Sequence, residues 1–162
     1  MKIVGIDVGV YGALAFLDTE DARSIEIVDM PVLAVKRGKG TKPHVNAVLL
    51  AQELRVREVD EAWVEITGAR PGQGVTSMFS FGRSTGIAEG VLAGLGVRTT
   101  TITPQKWKKA LSVPEGKDGA RARASALFPW AVAAFARVKD HGRADAALIA
   151  LFGARERERP NG

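Results

Sequence analysis

Three acidic residues and a histidine in this 162-residue chain have the types and spacing to hold a divalent cation. Asp7 closes the apolar run Lys2-Ile-Val-Gly-Ile-Asp7 and is followed by Val8-Gly9. A carboxylate inside a β-branched segment is costly unless something offsets its desolvation, and metal or phosphate chemistry is the usual offset. Glu65 has a similar place, at the end of Ala62-Trp-Val-Glu65-Ile66 and just before Gly68, with period-2 alternation setting it opposite Ala62, Val64 and Ile66. Asp145 lies in the stretch Asp140-His-Gly-Arg-Ala-Asp145-Ala-Ala-Leu-Ile149, near the start of a helix and beside its apolar stripe. His141, four residues earlier, shares that side, whereas Asp140 is five away and about 140° round the helix. Alone, Asp145 would simply favour the helix dipole and Glu65 would be an edge-strand charge. Together the carboxylates repel unless a cation neutralises them, and Mg²⁺ or Mn²⁺ suits such a set. Two ions roughly 4 Å apart would activate a water and stabilise the leaving oxygen in phosphodiester hydrolysis.

These residues need a sheet to bring them together. Extended segments are expected at 2–8, 12–18 and 24–30, closed by Pro31, and the short turns between them fit an antiparallel meander. Residues 31–43 are rich in Gly and Lys and read as a flexible loop. A helix with one apolar face is expected from His44 to Arg57, a fourth strand over 62–66, and a Pro-Gly-Gln-Gly loop at 71–74. A long helix over 76–94 leads to a fifth strand at 97–102. Thr103-Pro104 starts a helix that carries Trp107 and ends near Leu111. Helices over 118–127 and 142–154 follow, and the charged residues 155–162 read as a disordered tail. Strands reached through helical crossovers pair in parallel, so the fold class is α/β: a five-stranded mixed sheet flanked by helices on both faces, in one domain over 1–154.

Composition is that of an ordinary globular domain, with 46% apolar and 25% charged residues. The 23 Lys and Arg against 18 Asp and Glu leave a net charge of +5, which favours a polyanionic partner. One basic cluster is Lys36, Arg37, Lys39 and Lys42; the other is Lys106, Lys108, Lys109, Lys117, Arg121 and Arg123. No stretch suits a membrane span or a signal peptide, and no cysteine is present for a disulfide or a thiolate site. The expected setting is the cytoplasm of a bacterial cell, with no membrane partner.

The motifs Gly5-Ile-Asp7-x-Gly9, Val64-Glu65 before a Gly-rich loop and long helix, and Arg143-Ala-Asp145-Ala-Ala-Leu resemble those of RuvC-type Holliday junction resolvases. Thr103-Pro104-x-x-Trp107-Lys108 and Asp140-His-Gly-Arg-Ala-Asp145-Ala are similar to the phage-encoded branch. The resemblance spans about residues 2–153. It implies an RNase H-like fold and a homodimer that binds a four-way DNA junction and makes paired nicks. It makes Asp7, Glu65 and Asp145 Mg²⁺-binding catalytic residues, with Mn²⁺ a substitute. It leaves the fourth ligand open between His141 and Asp140, because Gly142 occupies the position one short helical turn before Asp145.

Beside this resemblance, Lys106, Lys108, Lys109 and Lys117 become phosphate contacts. Of Phe79 and Phe81, one is expected in the core and the other free to stack on an unpaired base. Gly82, Gly86, Gly90 and Gly94 recur every four residues, at about 1 kcal/mol each relative to alanine. They imply close packing on the sheet, on a second copy, or both. Three rivals stand beside the resolvase reading. An actin-like ATPase needs a second phosphate loop and more length, and a non-catalytic DNA-binding relative would not need all three carboxylates. An RNase H-like nuclease on another branched or hybrid nucleic acid is separated least.

Overall fold

The computed structural model describes residues 1–68, 72 and 74–158, except for the side chains of Ala22 and Arg37. Residues 71 and 73 of the loop expected at 71–74 therefore lie outside the described residues, as do 159–162 of the expected tail. Strands β1 (Lys2–Asp7), β2 (Ala13–Asp18) and β3 (Asp21–Asp29) form the antiparallel meander. β6 (Glu61–Glu65) and β7 (Arg98–Ile102) extend it in parallel, giving the order β3-β2-β1-β6-β7. This is the mixed five-stranded sheet expected from the sequence.

Strand alternation sends side chains to two cores. On one face Val4, Ile6, Leu14, Phe16 and Val64 pack beneath α1 (Ala47–Val56) and α2 (Val75–Gly94). On the other, Ile3, Ala15, Leu17 and Trp63 pack against α3 (Pro104–Ala110), α4 (Gly119–Leu127) and α5 (His141–Glu158). Asn46 caps α1 by accepting from the Val48 and Leu49 N–H groups at 3.1 and 3.2 Å. α5 lies on β1 so closely that a Cβ on Gly5 would fall 2.3 Å from the Ala146 carbonyl oxygen and the Ala150 nitrogen.

Two expectations change, and one stretch that carried none takes shape. The flexible loop at 31–43 is instead a ribbon of β4 (Val32–Arg37) and β5 (Gly40–Val45), paired across the two-residue turn Gly38-Lys39 with Gly38 at φ +58°. Glycine and lysine marked the turn, and the flanking apolar residues made the strands. Between α4 and α5 the chain forms 3₁₀ segments at Pro129–Phe135 and Val138–Asp140, which bury Phe135 beside Phe128. α5 runs on to Glu158, into the segment expected as a tail, where Arg157 bonds the buried Glu61 at 2.5 Å.

Candidate active site

Parallel pairing of β1 with β6 sets Ile6 beside Val64, so the residues that follow, Asp7 and Glu65, end neighbouring strands side by side. Both belong to the alternating set that faces α5: Gly5 and Asp7 on β1, Trp63 and Glu65 on β6. Asp145 sits one residue before Ala146, whose carbonyl contacts the Gly5 position, and so projects from the first turns of α5 over those strand ends. The carboxyl ends of parallel strands are where open α/β sheets place ligands.

Electrostatics report the same gathering. Burial raises the Asp7 carboxyl above its ordinary range, opposed by a 3.4 Å hydrogen bond from the Gly9 N–H and by the nearby His141 and Lys108. Burial and the facing Asp7 push Asp145 up to about 7, with Lys108 opposing and Glu65 adding to the rise. Asp145 Oδ1 is buried without a hydrogen-bond partner. The Trp107 indole N–H, fully buried, donates to Glu65 Oε2 at 2.7 Å.

A hard cation fits this donor set: three carboxylates in mutual repulsion, one with an orphaned oxygen, are what such an ion relieves. Among the described residues, however, no three His, Asp or Glu side chains are already gathered into a coordination sphere. Glu65 is turned toward Trp107, and His141 is exposed, with its ring 3.4 Å from the Val138 carbonyl. Asp140 is outside the group. It is buried against Arg137, whose guanidinium contacts it at 2.8 and 3.1 Å and holds its carboxyl at about 2. Arg143, 3.7 Å from Asp140, also pairs with Asp29 at 2.5 and 2.6 Å, which ties the start of α5 to the end of β3.

Gly142 has a steric role. A Cβ there would lie 2.5 Å from the Tyr11 carbonyl oxygen, 2.9 Å from Gly12 Cα and 3.0 Å from Asp7 Oδ2. Glycine thus lets α5 close on the carboxylates.

Two clefts meet here, and His141 lines both. The first, about 650 Å³, runs from Asp7 along the start of α2, past Phe79, Phe81 and Arg83, to Thr41–His44 of β5. Phe79 is 65% exposed while Phe81 packs against the core beneath α2, so the two aromatics divide between surface and core. The second, about 750 Å³, holds Asp145, Lys108, Lys109 and Lys117. Lys106 is elsewhere, 6.0 Å from the Phe152 ring centre. Arg121 and Arg123 are internal ties, the first to Asp118 and the Phe135 and Ala136 carbonyls, the second to the Leu111 carbonyl.

Sequence reasoning missed Trp107 as a partner of Glu65. The available signal was a Trp placed just after a strand end, since a buried indole has to spend its N–H. It also missed the ribbon that walls the first cleft.

No family model matches the chain. The curated relative "Holliday junction resolvase MOC1, chloroplastic" of Chlamydomonas reinhardtii is 38% identical over 92 residues. That match takes in 56% of this chain but only 10% of the relative, so the chain spans about a tenth of that protein's length. Among solved structures, Thermus thermophilus RuvC in complex with a Holliday junction substrate aligns with a TM-score of 0.65 at 16% identity, covering 96% of both chains. A second Thermus thermophilus RuvC structure aligns at 0.55 and 15% identity, again over 96% of each. The likeness to RuvC-type resolvases read from the motifs holds in both comparisons, and the fold is the RuvC-like, RNase H-like one.

Proposed function

We propose that this chain is a Mg²⁺-dependent endonuclease that resolves four-way DNA junctions. The observation that carries the reading is the pair of adjacent parallel strand ends bearing Asp7 and Glu65, beneath an Asp145 whose buried oxygen has no partner. The relative's name, which specifies a Holliday junction resolvase, supports the substrate class.

Asp7, Glu65 and Asp145 are the residues that would hold Mg²⁺. When bound, the ion neutralises the carboxylates and polarises the scissile phosphate. His141, at the shared wall of the two clefts, either completes the ligand set or orients the attacking water. Lys108, Lys109 and Lys117 seat the phosphates on one side without reading sequence. On the other side exposed Phe79 stacks on a base freed at the branch point, a contact of about 1–3 kcal/mol.

Paired nicks need two such centres, and we propose a homodimer. Gly82, Gly86, Gly90 and Gly94 favour it: a Cβ at any of them would meet nothing within 4 Å, so their close packing is not on their own sheet.

The test compares a synthetic four-way junction with a linear duplex of the same sequence, in Mg²⁺ and in EDTA. Symmetric nicks in the junction, dependent on Mg²⁺ and lost in Asp7→Asn, are expected. Equal cutting of both substrates would remove the resolvase assignment, and an active Asp7→Asn protein would remove the site.

A further inference from the structure

The ribbon β4–β5 has no part in the chemistry above. Its base is rooted: Val45 is buried in the core beneath α1 and α2, and the Asn46 N–H bonds the Pro31 carbonyl at 2.8 Å. Beyond that base it stands in solvent, with Lys36, Gly38, Lys39, Gly40, Thr41 and Lys42 all exposed. A two-stranded ribbon has little stability of its own, so a projecting one implies a surface to lie on.

Its register decides what surface. Directly opposed residues share a face of the ribbon, so the pair Val35 and Lys42 points one way and the pair Lys36 and Thr41 the other. Lys39 sits in the turn at the tip. Cations therefore lie on both faces and at the end. Among the described residues none of the three makes an ion pair. Strand β5 of the same ribbon, from Thr41 near the turn to His44 near the base, lines the cleft that contains Asp7 and Phe79. Whatever polymer fills that cleft continues along the ribbon.

We infer that this ribbon enters the major groove of one duplex arm of the substrate, with Lys36 and Lys42 reaching the phosphates on its two walls and Lys39, at the tip, a third phosphate. The inference rests on the reading proposed above. The major groove, about 12 Å wide, admits a two-stranded ribbon as it stands, whereas the minor groove, about 6 Å wide, has to be widened at a deformation cost. Phosphates on both walls require cations on both faces, which a one-sided basic patch would not supply.

The experiment measures junction binding in EDTA, by fluorescence anisotropy across a salt series, for the wild type and K36A/K39A/K42A. The triple variant should bind about tenfold or more weakly at ~0.1 M salt, with the slope of log K against log salt shallower by about 2.7. K36A, K39A and K42A singly should each remove about 0.9 of that slope. The control R23A/R55A/K139A, whose residues line neither cleft, should keep the wild-type slope. Dimethyl sulfate, which reads guanine N7 in the major groove, should find protection in an arm bound by the wild type and none with the triple variant. Wild-type affinity and slope in the triple variant, or full N7 reactivity in every arm of the bound junction, would overturn the ribbon's role alone. A wild-type protein that binds no junction overturns this inference together with the reading beneath it.

Discussion

Asp145 is the residue at which cation binding should be measurable without cleavage. Its carboxyl titrates near 7 in the fold against an ordinary 3.8, so the folded state holds a proton that the unfolded chain releases. That contribution to stability is complete below about pH 4 and is lost as pH rises to about 7, at up to about 1.4 kcal/mol per pH unit. Metal-free protein should therefore melt lower at pH 7.5 than at pH 5, and Mg²⁺ should restore much of the difference. Asp145→Asn should flatten the pH dependence and abolish the Mg²⁺ effect, and an unchanged slope in that variant would refute the assignment. Trp107 makes a second residue-scale prediction. Trp107→Phe keeps a large aromatic in the core while removing the donor to Glu65 Oε2. Calorimetric titration should then show Mg²⁺ binding weakened by about tenfold, consistent with losing a hydrogen bond to a charged group, and unchanged affinity would make Trp107 a packing residue only. The three carboxylates were legible in the sequence because each breaks an apolar pattern. Trp107 was not, because its bond to Glu65 joins segments 42 residues apart: its place after a strand end says that the indole needs an acceptor, not which one.

At the scale of elements, the sheet and its crossovers were legible from alternating apolar runs, and the helices from capping and period. The ribbon was not, because its turn residues outweighed the short strands that flank them. The glycines show the same limit. From sequence, the stripe on α2 invites a close approach to the sheet, yet α2 buries Ser84, Ala88 and Leu92, two residues (about 200°) round the helix from Gly82, Gly86 and Gly90. The close approaches that seat α5 on the sheet belong to Gly5, Gly142 and Gly153, which admit backbone oxygen, backbone or an indole ring at less than 3 Å from a would-be Cβ. Gly142→Ala should cost about 1–3 kcal/mol, since the obstructing atoms of Tyr11 and Gly12 are backbone and yield only if α5 moves. Cleavage should fall further than stability, because the same displacement shifts Asp145 relative to Asp7. Gly153→Ala, which meets the Trp63 ring at 2.4 Å, is the comparison: its loss should be one of stability. Parallel melts and single-turnover cleavage at 20 °C separate the two, and equal activity losses would mean that Gly142 acts only through packing.

For the whole molecule the open question is what covers the outer face of α2. Four glycines in one helix cost about 1 kcal/mol each against alanine, and nothing among the described residues of the chain offsets them. A helix that keeps such a face bare is shaped for another backbone to approach it, and a second α2 related by two-fold symmetry meets that condition with identical small residues on both sides. Val48, Leu49 and Val56 of α1, the helix packed beside α2, are exposed and would add apolar area to the proposed contact. The double variant Gly86→Ala, Gly90→Ala separates the monomer from the assembly. Within one chain each new methyl meets open space, so the monomer should gain up to about 2 kcal/mol in all from helix propensity. Across a close helix pair the same methyls hold the backbones apart, so the dimer dissociation constant should rise at least about tenfold, as read by sedimentation equilibrium. The two effects have opposite signs, which generic destabilisation cannot mimic. On a junction, the weakened dimer should leave single nicks where the wild type leaves paired ones. A variant that melts higher and dimerises as tightly as before would put the interface elsewhere on the surface.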